Sequence, residues 1–377
     1  MRVAYFSNQF ATASGHGVAR YAHELFDALC SHASHEIIPV AAWSSLKGVA
    51  RSQLVNRTGL QFTGLGRRAT PLAWTYLDWP PLERLMRQTP DLIHAVSLGY
   101  PISTRKPYVV TVHDLGHLSH PEYFNADRPW IMERSLRQAE RQADAVICVS
   151  HFTAGEVVDR VGPHIESRIR VIHEGVDRRF FEAVDGKCLN GLALPPEDVP
   201  IILTAGKISP RKNVHGVITA MAGLLDQIPH HLVHVGGVGW DAADVTRELA
   251  RSGMSARTHL IGYVSDEQLR ALYSRAAIYV HPSFYEGFGL TVLEAMAAGT
   301  PVVTSDRTSL PEIAGDAALL VDPESTDELS DAILLLATDA DLALSLSQKG
   351  RQRARQFEWS ACARQVSGVY KEVSAQA

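Results

Sequence analysis

The chain has 377 residues, more than one hydrophobic core usually supports, so we expect two domains. Its composition, 46% hydrophobic and 20% charged, excludes a disordered chain. The formal net charge of -5 argues against nucleic acid as a partner, because nucleic-acid-binding proteins carry basic surfaces.

The cysteines and the apolar runs indicate the compartment. Cys30, Cys148, Cys188 and Cys362 lie far apart and show no metal-binding spacing, so we expect free thiols in a reducing environment. No apolar run reaches the roughly 18 residues of a membrane-spanning helix, and no signal-peptide pattern precedes the first predicted strand at Val3. The sequence therefore predicts a cytoplasmic protein.

Short apolar runs rich in β-branched residues alternate with helical stretches, as expected for parallel strands buried on both faces. The first half contains the runs Val3–Ser7, Ile37–Ala42, Leu92–Val96, Tyr108–His113, Ala145–Ser150 and Ile169–His173. The second half contains Ile201–Ala205, Leu232–Val235, Leu260–Val264, Ile278–Pro282, Val302–Ser305 and Ala318–Val321. A polar connector, Arg178–Pro200, separates the two sets. This α/β pattern predicts two Rossmann-like domains facing a central cleft, with ligands at the carboxyl ends of the strands.

A glycine-containing loop, with Gly15 and Gly17, follows the first predicted strand and precedes a helical stretch. It partly matches a dinucleotide-binding fingerprint, but Arg20 stands at the third glycine position and about seven residues lengthen the turn. A loop facing the cleft fits this pattern better than an NAD site. An NAD-dependent oxidoreductase is therefore the alternative enzymatic interpretation, disfavoured by the broken fingerprint.

An aromatic stretch, Trp74–Pro81, lies close in sequence to Arg67, Arg68, Arg84 and Arg87. Aromatic side chains in such a stretch more often pack in a core or form a lid. The alternative is contact with a lipid headgroup or an acceptor, so peripheral association with the inner face of the membrane stays open.

His113 closes the predicted strand that begins at Tyr108, and Asp114 follows it. At the carboxyl end of a parallel strand, this histidine would point toward the cleft and donate a hydrogen bond to a sugar hydroxyl or orient an acceptor. Because the chain has 17 histidines, a purely structural role is the alternative.

A basic loop follows the strand Ile201–Ala205 and contains Lys207, Arg211 and Lys212. Cations at a strand end offer countercharge for a diphosphate leaving group, because negative charge develops there as a glycosidic bond to phosphate breaks. The alternative is a solvated basic loop, and the position at a strand end favours function.

Two carboxylates flank a glycine turn at a predicted helix start. Gly287 and Gly289 allow a tight turn that brings backbone N–H groups close to an anion, and the helix begins at Leu290. Glu286 precedes the turn, on the side where a sugar would lie. Glu294 lies five residues beyond Gly289, roughly 7–8 Å along a helix, about the step from a diphosphate to a ribose. In the alternative, Glu294 pairs with an Arg or Lys and Glu286 lies on a solvated loop.

The sequence Asp339-Ala340-Asp341 has the form of a DxD metal motif, but it lies between the predicted helices Leu329–Ala337 and Leu342–Phe357. We interpret it as a helix-capping turn, because such motifs bind metal at strand ends. No other segment supports a metal site.

Several of these segments together resemble those of a known family. Glu286 and Glu294 form an E-x7-E pattern inside the segment that opens Glu286-Gly287-Phe288-Gly289-Leu290. The matching motifs elsewhere are the Gly15/Gly17 loop, Thr111–Asp114, Ala143–Ser150, His173–Asp177, Pro210–Asn213 and the closing helix. These motifs extend over nearly the whole chain. Through them the chain resembles the retaining glycosyltransferases of family 4, which have the GT-B fold and are also called glycosyl transferases group 1.

The resemblance implies an N-terminal acceptor-binding domain at residues 1–180, completed by the C-terminal helix at 360–377, and a donor-binding domain at 181–359. Its partners would be a nucleotide-sugar donor and a glycan or lipid-linked glycan acceptor, with no cofactor and no metal. The Pro210–Asn213 loop is similar to that of mannosyltransferases using GDP-mannose, and UDP-sugars are the alternatives.

The resemblance assigns His113, Glu286 and Lys212 to the reacting centre, with Glu286 on the donor sugar hydroxyls. Retention without an obvious enzymic nucleophile suggests front-face attack, in which the acceptor hydroxyl enters on the side from which the phosphate leaves. The departing phosphate oxygen would then take the proton of the acceptor. Glu286 would position the sugar rather than attack it.

Backbone amides would hold the diphosphate in this resemblance, with two lysines as countercharge, while Glu294 would bind the ribose. Tyr263 and Val264 would contact the base through backbone groups. The predicted donor-binding residues are Gly15, Gly17, Lys207, Lys212, Tyr263, Val264, Glu286, Phe288, Gly289, Leu290, Thr291 and Glu294.

Two positions depart from the family pattern. Many members have Arg where this chain has Lys207, which keeps the charge but loses the bidentate fork. The common Pro-Asn-Gly-Val-Asp is His173-Glu174-Gly175-Val176-Asp177 here, which changes any contact of that Asn. A non-catalytic sugar-nucleotide-binding protein is the third interpretation; its expected sign is loss of one of the three catalytic candidates, and all three are present.

Overall fold

The computed structural model describes residues 1–11, 17–124, 129–237, 239 and 242–376, without the side chains of Arg67, Arg68 and Ala242. The chain divides into two compact units. The first unit consists of Met1–Ser119, Ala126–Gly175 and Glu358–Ala377, and the second of His120–Asn125 and Val176–Phe357. Each unit is an α/β domain built on its own parallel sheet.

The sheet of the first unit has seven parallel strands in the order β3-β2-β1-β4-β5-β6-β7. They are β1 (Arg2–Phe6), β2 (Glu36–Ala41), β3 (Gln61–Phe62), β4 (Leu92–Ala95), β5 (Tyr108–Val112), β6 (Ala145–Cys148) and β7 (Ile169–Val171). All six strands predicted here are confirmed, with ends shifted by one or two residues. The prediction missed β3, because two residues are too few to show a pattern.

Helices cover this sheet, and the central strands β4, β5 and β6 are buried along their whole length, as predicted. The helices of this part of the chain are α1 (Gly17–His32), α2 (Gly48–Thr58), α3 (Gly66–Leu72), α4 (Gly116–Ser119), α5 (Pro129–Gln142) and α6 (His151–Val161). A π-helical turn at Ala73–Leu77 continues α3.

The sheet of the second unit has six parallel strands in the order β10-β9-β8-β11-β12-β13. They are β8 (Ile201–Ala205), β9 (His231–Val235), β10 (Thr258–Gly262), β11 (Ile278–His281), β12 (Val302–Ser305) and β13 (Leu319–Val321). Counted from β8, this is the strand order 3-2-1-4-5-6 of the Rossmann fold. The six predicted strands and the predicted architecture of this half are confirmed.

Seven helices are described in the second unit: α7 (Val214–Ala222), α8 (Ala242–Ser252), α9 (Asp266–Arg275), α10 (Leu290–Ala298), α11 (Leu310–Ala314), α12 (Thr326–Thr338) and α13 (Ala340–Ala354). The Asp339 side chain caps α13 by accepting a hydrogen bond from the Leu342 amide at 2.9 Å. The prediction of a helix-capping turn at this aspartate is therefore confirmed.

The last helix, α14 (Trp359–Gln376), lies in the first unit and packs against α1. The Tyr370 hydroxyl of α14 lies 2.7 Å from His94 Nδ1, and His94 Nε2 lies 2.8 Å from Thr111 Oγ1. Burial lowers the pKa of His94 to about 3, so this ring is neutral and links α14 to two central strands through hydrogen bonds.

Within the ranges described above, no helix is both long and apolar enough to cross a membrane. All four cysteines are free thiols, as predicted.

Candidate active site

The glycine turn before α10 is present as predicted. Gly289 caps the start of this helix at a φ of +107°, a conformation that residues with a side chain rarely adopt. A Cβ at this position would lie 2.7 Å from Leu310 Cδ2, so the Leu310 side chain would have to shift to accommodate it. Leu290 and Thr291 form the first turn, where backbone N–H groups have no acceptor within the helix and suit an anion.

Glu286 is a buried carboxylate surrounded by three basic side chains. Arg211 Nη1 lies 2.7 Å, Lys212 Nζ 2.5 Å and His281 Nε2 3.1 Å from the same carboxylate oxygen, Oε1. The alternative that put Glu286 on a solvated loop is therefore wrong. Two residues predicted for catalysis, Glu286 and Lys212, are in direct contact.

Burial and charge together set the ionisation of this cluster. Burial alone would raise the pKa of Glu286, but the charges of Arg211 and Lys212 more than offset it, so this pKa lies well below its usual range. Burial lowers the pKa of Lys212 to about 8, although Glu286 offsets part of this effect. Glu286 is therefore ionised at neutral pH, and Lys212 loses its charge in the mildly alkaline range.

His281 was missed by the sequence analysis and holds the Glu286 carboxylate. Burial, together with the charge of Lys212, lowers the pKa of His281 to about 4, so its ring is neutral at pH 7. Its Nδ1 lies 3.2 Å from the Tyr279 hydroxyl. In the tautomer that satisfies both contacts, the tyrosine donates to Nδ1 and Nε2–H donates to Glu286. His281 ends β11, so the strand-end criterion that selected His113 would have found it.

The backbone of the glycine turn is fixed by two neighbouring hydroxyl residues. Thr308 Oγ1 accepts a hydrogen bond from the Glu286 amide at 3.2 Å, and Ser309 Oγ lies 2.9 Å from the carbonyl oxygens of both Glu286 and Phe288. Thr308 adopts a φ of +61°, which is unusual for a β-branched residue. Such a conformation persists only where the surroundings determine it, and it is typical of functional sites.

Glu294 projects from α10 and is also buried. The Tyr273 hydroxyl donates a hydrogen bond to Glu294 Oε2 at 3.2 Å. Tyr273 is in turn packed edge-on against Tyr279 and Phe180. A tyrosine hydroxyl is therefore one of the partners of the Glu294 carboxylate.

The basic loop after β8 has a buried part and an exposed part. Lys212 runs beside Gly206, where an added Cβ would lie 3.2 Å from Lys212 Cε. Arg211 donates to the Tyr285 carbonyl at 3.1 Å in addition to its contact with Glu286. Lys207 is exposed. The alternative of a solvated basic loop is therefore wrong for Arg211 and Lys212.

Aromatic rings from two distant parts of the sequence pack beside Arg211 in the second unit. Tyr123 stacks on Phe284 with ring centroids 5.6 Å apart, and Phe124 meets Tyr285 edge-on at 5.9 Å. The Arg211 guanidinium lies 5.6 Å from the centroid of Phe124. The segment His120–Asn125 belongs to this unit although the sequence on either side belongs to the first. The sequence analysis did not predict this contribution.

The other predicted donor-binding residues lie in two loops. Tyr263 is 72% exposed and Val264 is buried, and both follow Gly262 at the end of β10. Gly17 is the first residue of α1, whereas Gly15 lies outside the described residues. Their contacts with a donor stay predictions.

His113 lies in the first unit, directly after β5. Its Nδ1 is 3.1 Å from Glu174 Oε1, and its Nε2 is 2.9 Å from the Val96 carbonyl oxygen. Glu174 is one of the residues that depart from the family motif. Because both ring nitrogens contact protein oxygens, the predicted hydrogen bond to a sugar hydroxyl requires the exchange of one of these contacts.

Two α/β domains, each with its own parallel sheet, and a carboxylate–cation cluster at the strand ends of the second are features of the GT-B class of glycosyltransferases. The family description "Glycosyltransferase Family 4" matches residues 15–180, and "Glycosyl transferases group 1" matches residues 193–353. O-antigen chain mannosyltransferase B from Escherichia coli is 34% identical over 70% of each chain. The chain therefore belongs to the glycosyl transferases group 1, and it is a hexosyltransferase.

Other similar proteins agree with this class. MMP alpha-(1->4)-mannosyltransferase from Mycolicibacterium hassiacum is 31% identical over 63% of this chain and 56% of that protein. Sucrose-phosphate synthase from Thermosynechococcus elongatus superposes with a TM-score of 0.76, at 23% identity and full coverage of both chains. HepE from Anabaena, solved with UDP-glucose, gives a TM-score of 0.75 at 18% identity, covering 99% of this chain and 100% of that one. These structures share the fold.

Proposed function

We propose that this glycosyltransferase moves a hexose, with mannose favoured, from a nucleoside diphosphate sugar to a glycan or lipid-linked glycan acceptor. GDP-mannose is favoured over UDP-sugars because two of the similar proteins are named mannosyltransferases. The observation that carries the proposal is the buried Glu286, held by Arg211, Lys212 and His281 beside the turn before α10.

In this proposal the diphosphate binds at the start of α10. The amides of Phe288–Thr291 and the charge of Lys212 offset its negative charge, and the exposed Lys207 adds a second cation. Glu294, a buried carboxylate on the helix that begins at this turn, accepts hydrogen bonds from the ribose hydroxyls. Tyr263 and Val264 contact the base.

Glu286 positions the sugar in the proposed reaction. Three donors converge on its Oε1, which makes that oxygen a poor nucleophile, and Oε2 accepts from the sugar hydroxyls. The acceptor oxygen bonds to the anomeric carbon on the face from which the diphosphate leaves, so the configuration is retained. The leaving phosphate oxygen takes the acceptor proton. Lys212 and the helix start stabilise the charge on that oxygen, so the step needs no metal.

Donor turnover is the direct test of this function. Purified protein is incubated with GDP-mannose, UDP-glucose or UDP-N-acetylglucosamine, and release of nucleoside diphosphate is followed with and without EDTA. We expect GDP-mannose to be used fastest and EDTA to have no effect. If no donor is bound or hydrolysed and NADH instead quenches the protein fluorescence, the transferase function is wrong.

Replacing Glu294 by alanine should raise KM for the donor by about 10- to 100-fold, the usual effect of losing hydrogen bonds to a charged group. The matched control is Tyr273→Phe, which removes the hydroxyl that donates to Glu294 and keeps the ring. We expect its KM to change far less. A Glu294→Ala protein with a lowered Tm and an unchanged KM would contradict the ribose contact.

The lowered pKa of Lys212 predicts a pH dependence. Lys212 is cationic below its pKa of about 8 and becomes neutral as the pH rises through this value. We therefore expect kcat/KM for the nucleotide sugar to fall as the pH rises above about 8. The measurement is kcat/KM against pH, which reports groups of the free enzyme. In Lys212→Arg the guanidinium stays charged, so the decline near pH 8 should disappear. An unchanged decline in this variant would assign it to another group.

A further inference from the structure

A long stretch of the first unit carries positive charge alone. Between Glu36 and Asp78 the sequence has no acidic residue, in a chain whose net charge is -5. The cations in this interval are Lys47, Arg51, Arg57, Arg67 and Arg68. A segment of this composition favours contact with an anionic surface.

Large apolar side chains are exposed at the end of the same stretch. Tyr76 is 61%, Leu77 70% and Trp79 59% exposed, and Leu72 and Trp130 are exposed as well. We call these five residues the aromatic patch. Of the three aromatic side chains in Trp74–Pro81, Trp74 packs in the core as expected, where it is buried and donates from Nε1 to the Pro80 carbonyl at 2.8 Å.

The patch is ordered by contacts with α5. The rings of Tyr76 and Trp130 lie 6.5 Å apart, and the Arg134 guanidinium lies 4.8 Å from the Tyr76 centroid. Arg134 also donates to the Thr75 carbonyl at 3.3 Å. A hydrophobic surface with a cation over its aromatic ring has the chemistry of a membrane interface, where tyrosine and tryptophan lie at headgroup depth.

A cavity of about 420 Å³ opens beside the patch. Trp74 and Thr75 form one part of its wall, and Arg134, Arg137 and Arg141 of α5 form another. Arg137 is paired with two glutamates of its own helix, and Asp78, which also lines the cavity, is paired with Arg105. The cavity is large enough for a lipid headgroup, and its arginines suit a headgroup phosphate.

We propose that the aromatic patch docks the first unit on an anionic lipid bilayer. Tyr76, Leu77 and Trp79 enter the headgroup region, while the acid-free stretch and Arg134 meet the negative surface potential. The partner is a lipid surface rather than a second protein copy, because interfacial aromatic residues are exposed next to a stretch of sequence that has cations and no acidic residue. The inference does not depend on the donor sugar.

Vesicle flotation tests this docking. The full-length protein is mixed with vesicles of phosphatidylcholine alone or with about one third phosphatidylglycerol, at low salt and at higher salt. We expect binding to the anionic vesicles, weakened by salt because the Debye length shortens. Tyr76→Ser/Leu77→Ser/Trp79→Ser should lower the partition coefficient by about tenfold or more.

The matched control replaces exposed leucines outside the patch, Leu335→Ser/Leu344→Ser, and should bind as the wild type does. Circular dichroism verifies that both variants are folded. The proposal is overturned if the wild type stays unbound, if it binds neutral vesicles equally well, or if the triple variant binds like the wild type. A concentration-dependent dimer that is abolished by the triple variant, without vesicle binding, would assign the patch to a second copy instead.

Discussion

Replacing Lys212 by alanine should lower kcat/KM for the nucleotide sugar by about 100- to 1000-fold, the effect of removing one electrostatic donor from a leaving-group site. The Lys212 ammonium lies 2.5 Å from Glu286 Oε1 and is largely buried, so water would replace its charge poorly. Arg211 and His281 still contact Glu286 in this variant, so the carboxylate stays paired and the protein should fold. Steady-state kinetics with the preferred donor, alongside thermal unfolding, measures both effects.

Lys207 provides the matched control for Lys212. Both lysines belong to the loop after β8, but Lys207 is exposed, where a single charge is screened by solvent. We expect Lys207→Ala to lower kcat/KM by less than about tenfold. If the two variants lose activity equally, the position of Lys212 beside Glu286 has no special role. If Lys212→Ala keeps wild-type kcat/KM, the proposed stabilisation of the leaving group is wrong.

The parts of the fold that the sequence predicted are those encoded by local patterns. Buried parallel strands give continuous apolar runs, and glycine before an apolar helix marks a turn, so the strands and the Gly289 turn were predictable. The two-residue strand β3 was missed because its pairing with β2 depends on a neighbour rather than on its own sequence. The observed strand ends differ from the predicted ones by one or two residues, because hydrogen bonding rather than composition determines where a strand ends.

The contacts within the site were less predictable than its composition. The spacing of Glu286 and Glu294 could be found in the sequence, but the contact of Arg211 with Glu286 joins the loop after β8 to the turn that follows β11. The role of Phe124 beside Arg211 depends on packing across an even longer separation. For His113 the sequence predicted the position at the end of a strand. It did not predict the two protein oxygens that the ring nitrogens contact.

Replacing Gly236 by alanine should both destabilise the second unit and disturb the donor site. An added Cβ would lie 1.9 Å from the Gly206 carbonyl oxygen, and Gly236 has a φ of +146°. Because the clash is with backbone, no side-chain rotation relieves it. The Gly206 backbone would have to move, and Lys212 Cε lies beside that residue. We expect a loss of about 1–3 kcal/mol in the free energy of unfolding, as for other overpacked sites.

Gly237→Ala is the matched control for Gly236→Ala, because it makes the same substitution without the backbone clash. Among the described residues, no heavy atom would lie within 4 Å of a Cβ at Gly237, so Gly237→Ala should change stability by less than about 0.5 kcal/mol and leave kcat/KM near that of the wild type. In Gly236→Ala, a displacement of the loop by about 1 Å is enough to lower kcat/KM by about 100-fold. Thermal unfolding and donor kinetics on both variants show whether the clash with Gly206 causes the loss of stability and activity. Equal losses in the two proteins would show that glycine flexibility, rather than contact between the ends of β8 and β9, controls the position of Lys212.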